Sequence, residues 1–213
     1  QFIEKVPSFG KSFICIDDKI NYEIVKNLKS KNFYTYGIDS KSNFLINNIK
    51  QNKIFTEFDL FINLPNKKKL KIKKIKIPLL GIHNVRNSVA AAAVAVTVGI
   101  SISDIKVGLS NFKGVQRRFN KIFTFNETDF YDDYAHHPTE IEVVLDGVNK
   151  VYKGYDKVCI FQPHRVSRLK DLRKEFSFAF QNADTVVLCP LYNAGEKIKL
   201  GFSYLNFAKE IIK

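Results

Sequence analysis

The pattern of apolar and polar positions predicts different element orders in the two parts of the chain. In residues 1–80, short apolar runs predict strands, with one helix over NYEIVKNLKS: SFICI, FYTYGI, FLINNIKQ, FTEFDLFIN and LKIKKIKIPL. Two helices follow. The first is the alanine-rich GIHNVRNSVAAAAVAVTVGI, closed by Gly99, and the second is SISDIKVGLSNF, for which we expect Ser103 to be the N-cap.

From about residue 120 the pattern becomes an alternation of strands and helices. A hairpin (KIFTF, NET, DFYDDY) comes first, and the elements after it alternate helix and strand: PTEIEVVLDGVNKVY, KVCIFQP, RLKDLRKEFSFAFQNA, TVVLCPLY and SYLNFAKEIIK. Such alternation predicts an α/β fold with a mainly parallel sheet. We place a domain boundary near Gly114–Phe119.

The lysine-rich stretch NKKKLKIKKIKIP contains an apolar series, namely Leu70, Ile72, Ile75 and Ile77. This is mostly the period-2 pattern of a strand with one solvated face, so we favour a solvated strand over a binding patch. The formal net charge of +13 would also suit an anionic partner such as a nucleotide, nucleic acid or acidic lipid surface. The abundance of Lys, Asn, Ile and Phe favours a general compositional drift instead.

The remaining composition points to an ordinary intracellular protein. The three cysteines are odd in number and lie in apolar runs, which is typical of reduced, buried thiols rather than of disulfides. No stretch has the length and composition of a membrane span. We therefore expect a cytoplasmic location and no membrane partner. Because the chain starts at Gln1 and contains no methionine, we also expect a fragment of a longer protein.

All four histidines fall in three short segments, GIHNVRN, DDYAHHP and FQPHRVSR, each at a predicted helix start or strand end. Ligands of open α/β sheets bind at such positions, so we favour a functional interpretation. In GIHNVRN, Asn84 and Asn87 lie on one face of the first helical turn, and their amides could pair with an adenine edge. The alternative is that Asn84 only caps the helix.

Arginines accompany two of these positions. GVQRRF carries two adjacent arginines at the proposed boundary, where guanidinium groups could bind phosphate, although adjacent surface arginines are common. In FQPHRVSR, Arg165 and Arg168 follow His164 at a strand end and suit a carboxylate ligand. Solvent-facing arginines are the alternative.

The segment DDYAHHP combines two aspartates with two adjacent histidines. Pro138 suits the first helical position, and Glu140 and Glu142 suit the positive end of the helix. Adjacent histidines point apart on most backbones, and nothing nearby completes a set of three or four ligands. The sequence therefore predicts no metal site here.

Five motifs, in this order, are similar to those of the bacterial Mur ligases: GIHNVRNSVAAAAVA, FKGVQRRF, YDDYAHHPTEI, FQPHRVSRLKDL and LYNAGE. The resemblance covers nearly the whole chain. It implies that residues 1–116 are the second half of the central ATP-binding domain. Residues 117–213 would be a truncated, Rossmann-like C-terminal domain.

The resemblance implies an ATP-dependent ligase of peptidoglycan synthesis, most similar to the branch that joins L-alanine to UDP-N-acetylmuramate through an acyl phosphate, with Mg²⁺. Arg118 and His136 would be catalytic, with Arg118 at the transferring phosphate. The adenosine moiety would be contacted by His83, Asn84, Asn87, Asp133 and Tyr134. The acceptor amino acid and the muramoyl carboxylate would be faced by His136, His164, Arg165 and Arg168.

The family's P-loop and metal ligands are not found in this sequence, since no glycine-rich loop is followed by Lys-Ser or Lys-Thr. We therefore expect the chain alone to lack ligase activity. One alternative is the murein tripeptide recycling ligase, and another is a non-catalytic module that binds nucleotides or nucleic acid. We expect small-molecule substrates and no nucleic-acid partner, and the sequence does not determine the oligomeric state.

Overall fold

The computed structural model describes residues 3–196 and 203–211. The chain divides into two compact units, Gln1–Lys113 and Gly114–Lys213. Within the described ranges, no helix is both long enough and apolar enough to cross a membrane.

The first unit is built on a five-stranded sheet. Its elements are β1 (Ser12–Cys15), α1 (Lys19–Asn27), β2 (Phe33–Gly37), β3 (Phe44–Gln51), β4 (Thr56–Ile62), β5 (Leu70–Ile77), α2 (Ile82–Thr97) and α3 (Ile102–Asn111). The strands lie in sequence order, with β1, β2 and β3 parallel and β4 and β5 added antiparallel. This element order confirms the one predicted from the apolar runs.

The core of the first unit lies between this sheet and the helix α2. Phe58 and Leu60 of β4 are fully buried with Val85 and Val89 of α2, in one apolar cluster. The small side chains of the alanine-rich stretch let the helix pack closely on the sheet, and Ala92 and Ala93 are both buried.

Strand β5 has the predicted solvated face, with a local irregularity. Ile72, Ile75 and Ile77 are buried while the lysines between them are exposed. The three-residue step between Ile72 and Ile75 coincides with a register shift against β4. There Lys74 has a φ of 54° and donates its backbone N–H to Asp59. The bulge explains why buried and exposed residues do not alternate strictly along β5.

The second unit contains two small sheets and four helices among its described residues. The hairpin consists of β6 (Asn120–Phe125) and β7 (Thr128–Asp132), and β8 (Val158–Phe161) pairs in parallel with β9 (Thr185–Leu188). The helices are α4 (Pro138–Val151), α5 (Val166–Asp171), α6 (Arg173–Ala179) and α7 (Tyr204–Ile211). Phe161, Leu169, Phe176 and Phe207 form the centre of its apolar core.

Two predicted details are wrong. The N-cap of α3 is Ser101, whose hydroxyl accepts the backbone N–H of Asp104, so Ser103 lies inside the first turn. The segment RLKDLRKEFSFAFQNA forms two helices rather than one, because Leu172 (φ −115°, ψ 25°) interrupts the helical backbone between α5 and α6.

Candidate active site

The first two turns of α2 carry the predicted residues of the first unit. Gly81 is the N-cap with a φ of 89°, and a Cβ there would lie 2.6 Å from Cε1 of His83, so only glycine fits. The Asn84 amide donates to the Leu80 carbonyl at 2.7 Å. Asn84 therefore ties the helix to the preceding loop instead of accepting an N–H as a cap. Asn87 is exposed on the same helix.

An ion pair that the sequence analysis missed anchors this helix. Arg86 Nε donates to Asp17 Oδ2 at 2.7 Å, and Asp17 Oδ1 accepts the backbone N–H groups of Ile38 and Asp39. Asp17 follows β1 and Ile38 follows β2, so one carboxylate joins α2 to the carboxyl ends of two parallel strands. Gly37 permits this approach, since a Cβ there would lie 2.3 Å from Asp17 Oδ1.

In the second unit, Asp133 joins the GVQRRF loop to the turn after β7. Its Oδ2 accepts the Phe119 N–H at 2.8 Å, and its Oδ1 accepts the Ala135 N–H at 2.6 Å. The Tyr134 N–H donates to the Arg117 carbonyl at 2.7 Å. Both Arg117 and Phe119 have positive φ, 59° and 52°. The hydrogen bonds thus hold a backbone conformation that non-glycine residues rarely adopt.

The same turn begins α4 with a capping box. His137 is the N-cap, and its Nδ1 accepts the Thr139 N–H at 3.3 Å, while Glu140 Oε2 accepts the His137 N–H at 3.3 Å. Pro138 occupies the first helical position, as predicted. His137 therefore has a structural role as the N-cap of α4.

Glu140 lies between the two residues expected to be catalytic. Its Oε1 is 4.0 Å from Nη1 of Arg118, and its Oε2 is 3.5 Å from Nδ1 of His136 and accepts the His136 N–H at 3.0 Å. Partial burial raises the pKa of Glu140, but the N–H groups of His136 and His137 and the charge of Arg118 outweigh it. The net pKa is lowered, so the carboxylate is ionised at neutral pH.

The FQPHRVSR segment continues this cluster. The rings of His136 and His164 lie 6.4 Å apart, and Arg168 Nη1 is 3.3 Å from His164 Nδ1. Arg165 has a φ of 68°, and its backbone N–H donates to the Tyr192 carbonyl at 2.9 Å. Such strained backbone often marks functional positions, since the surroundings must stabilise it.

The LYNAGE segment supports the start of α5. Glu196 accepts the N–H and the hydroxyl of Ser167 at 2.9 and 2.7 Å. Burial, Arg168 and Arg165 lower the pKa of His164, with Glu196 as a weaker opposing influence. His164 is therefore mainly neutral at neutral pH.

The second unit thus brings together most of the predicted site residues through a continuous series of contacts: Arg118, Asp133, Tyr134, His136, His164 and Arg168. The side chain of Arg165 is exposed, and His83, Asn84 and Asn87 belong to the first unit. Within residues 3–196 and 203–211, no group of three or more His, Cys, Asp or Glu side chains is arranged to hold a metal ion. Sequence reasoning missed Asp17 and Arg86, whose side chains pair across 69 residues of the chain. It assigned no role to Glu196 of LYNAGE and treated Glu140 only as a residue that stabilises the helix start.

Two named relatives are similar to this chain over nearly all of its length. The chain is 70% identical over its full length to a UDP-N-acetylmuramate–L-alanine ligase of Pelagibacter ubique and covers 46% of it. The identity is 40% to the ligase of that name from Brachyspira hyodysenteriae, over 95% of this chain and 43% of the relative. The chain therefore spans less than half the length of these relatives.

A solved structure shows the same fold. UDP-N-acetylmuramate–alanine ligase MurC from Thermotoga maritima aligns with 95% of this chain and 40% of its own, with a TM-score of 0.69 and 25% identity. The Mur ligase middle domain matches residues 1–95, and the Mur ligase glutamate ligase domain matches residues 117–211. Because both of these domains are Mur ligase domains and together they account for most of its residues, the chain belongs to the Mur ligase family.

Proposed function

We propose that this chain is part of an ATP-dependent ligase that joins L-alanine to UDP-N-acetylmuramate in the cytoplasmic steps of peptidoglycan synthesis. Residues 1–116 would belong to its central ATP-binding domain and residues 117–213 to its C-terminal domain. One observation carries the proposal: Arg118, His136, His164 and Arg168 lie in one contact network at the strand ends of the second unit. Cations and imidazoles in that arrangement suit phosphate, carboxylate and amine groups.

The first unit would bind the adenine base. Asn84 and Asn87 offer amide donors and acceptors on consecutive turns of α2, and His83 packs against the helix start. In the second unit, Asp133 and Tyr134 would contact the adenosine. Arg118 would bind the transferring phosphoryl group, whose charge a guanidinium stabilises bidentately.

The acceptor would bind beside α5. Arg165 and Arg168 would hold carboxylates, while the imidazoles of His136 and His164 would face the reacting amine. The amine nitrogen attacks the acyl phosphate carbon, the new C–N bond forms, and the C–O bond to phosphate breaks. The amine proton passes to a base, so phosphate and the amide are the products.

Mg²⁺ would shield phosphate charge during the transfer. The described residues contain no ligand set for it, so we assign no step of this chain to the metal.

Product formation by a full-length ligase containing this chain tests the proposal. We expect phosphate release that requires both UDP-N-acetylmuramate and L-alanine, and no turnover by the 213-residue chain alone. Competition between L-alanine and a murein tripeptide would distinguish the recycling ligase, since that enzyme would prefer the tripeptide. Salt-sensitive binding to arbitrary DNA without any response to ATP would contradict the proposal.

The acceptor site has its own test. Arg165→Ala in the full-length enzyme is expected to raise KM for L-alanine more than KM for ATP, because the guanidinium would bind the acceptor carboxylate. Lys170→Ala is the matched control, since Lys170 is exposed one helical turn further along α5. Equal changes in both KM values for Arg165→Ala would exclude the acceptor role.

A further inference from the structure

Glu140 differs from the other carboxylates of the second unit because its two oxygens contact the two residues expected to carry out the chemistry. Oε1 faces Arg118 at 4.0 Å, and Oε2 faces Nδ1 of His136 at 3.5 Å. The side chain is itself fixed, since Oε2 also accepts the N–H groups of His136 and His137 at 3.0 and 3.3 Å. The carboxylate therefore cannot turn away from His136 without breaking the helix cap.

The surroundings of His136 determine which of its ring nitrogens carries the proton. Nδ1 lies 2.9 Å from the carbonyl oxygen of Tyr134, and this oxygen can only accept. Nδ1 must then be the donor, and the Glu140 carboxylate beside it favours the same assignment. In the neutral ring, Nε2 consequently carries the lone pair.

We propose that Glu140 is a positioning residue of the ligation step, which holds His136 as a base and keeps Arg118 beside it. This rests on the proposed function. The ammonium group of the acceptor amino acid gives a proton to Nε2 of His136 and becomes a neutral amine. The amine then forms the C–N bond to the acyl phosphate carbon as the C–O bond to phosphate breaks, and the second proton of the nitrogen leaves with the phosphate as hydrogen phosphate. Glu140 stabilises the imidazolium that results, as a carboxylate does beside a catalytic histidine.

Other groups around His136 are arranged consistently with this role. The Tyr134 ring lies 5.0 Å from the His136 ring, and the His164 ring lies 6.4 Å away. The pKa of His164 is lowered, so it adds little positive charge at neutral pH. Glu140 lies between Arg118 and His136, so its carboxylate is the anion that faces the imidazole.

Glu140→Gln separates this role from helix capping. Glutamine keeps an oxygen that can accept the backbone N–H groups in the capping box, but it has no charge. In the full-length ligase we expect kcat to fall about 10- to 100-fold, which is at or below the lower limit of what a general base contributes, because His136 itself is retained. KM for ATP should stay unchanged. The loss should therefore appear in kcat alone.

Glu142→Gln is the matched control, since Glu142 is exposed on the same helix, and it should leave kcat unchanged. A Glu140→Gln enzyme with wild-type kcat would overturn the inference. A wild-type enzyme that forms no product from L-alanine would instead refute the proposed function. The two failures are thus distinguishable.

A second measurement needs no catalysis and uses the 213-residue chain itself. Nitrogen-15 NMR of the imidazole groups reports the tautomer of neutral His136. We expect the proton on Nδ1. A proton on Nε2 would exclude the base role, even if Glu140→Gln failed to fold.

Discussion

The two groups of site residues are held in place by different forces. In the first unit, α2 rests on the sheet through buried apolar side chains such as Val85 and Val89, and one ion pair fixes its start. In the second unit, the turn after β7 is partly exposed and is held by two carboxylates, Asp133 and Glu140, which accept four backbone N–H groups.

This difference indicates where each site is sensitive to change. Apolar burial contributes most to the free energy of folding but discriminates poorly between neighbouring geometries. Hydrogen bonds to backbone contribute less each, but they fix direction and distance. The first site should therefore respond most to cavities in its core, and the second to the loss of single polar groups.

The largest effect is expected for Phe58→Ala in the core of the first unit. Phe58 is fully buried. Removing its ring should lower the free energy of unfolding by about 3–5 kcal/mol, because apolar burial is lost and a cavity is left behind. Hydrogen exchange of backbone amides in β4 and α2 would measure the loss. Phe9→Ala is the control, because Phe9 is 91% exposed and should change little.

Phe176→Ala is the equivalent change in the second unit, where Phe176 is fully buried. If Phe176→Ala lowers the free energy of unfolding of the second unit as much as Phe58→Ala lowers that of the first, the two apolar cores stabilise their units equally. The contrast between the units would then lie only in the way the site residues are held.

Asp133→Ala should lower the free energy of unfolding by less, about 1–3 kcal/mol, because the Phe119 and Ala135 N–H groups lose their acceptor. Hydrogen exchange of those two amides, monitored by NMR in the 213-residue chain, measures the effect directly. Asp146→Ala is the control, since among residues 3–196 and 203–211 the Asp146 side chain pairs only with Lys150, as an i,i+4 pair on the surface of α4. If Asp133→Ala destabilised the chain as much as Phe58→Ala, single hydrogen bonds would matter as much as core burial, and the contrast between the two sites would be wrong.

The sequence predicted the strands of the first unit correctly, but it did not predict the side-chain contacts of either site. Apolar periodicity indicated all five strands of the first sheet, because burial repeats regularly along a strand. Asp17 and Arg86 escaped prediction, since they are 69 residues apart and no local pattern joins them. The break between α5 and α6 at Leu172 was missed as well, because both helices bury apolar residues in one continuous pattern.

In the second unit the motifs identified the right turn but not the arrangement within it. Pro138 and the acidic residues after it indicated a helix start, and local capping chemistry was enough for that prediction. The position of Glu140 between Arg118 and His136 depends on how the GVQRRF loop folds back over β7, and that requires positive φ at two non-glycine residues. Sequence propensities disfavour such a backbone, so they could not predict it.

The smallest expected effect is a pH dependence of stability in the second unit that comes from His164. Its pKa is lowered in the folded chain, mainly by burial and then by Arg168 and Arg165, so below the unfolded value of about 6.5 the unfolded chain binds a proton that the folded chain does not. Stability should therefore decrease as the pH falls through and below that value. Hydrogen exchange in β8 and α5 between pH 7.5 and 5 would measure it, and His164→Gln should show a weaker pH dependence because glutamine does not titrate. The same pH dependence in both chains would exclude His164 as its source and would leave the polar contacts of the carboxylates as the pH-sensitive part of this site.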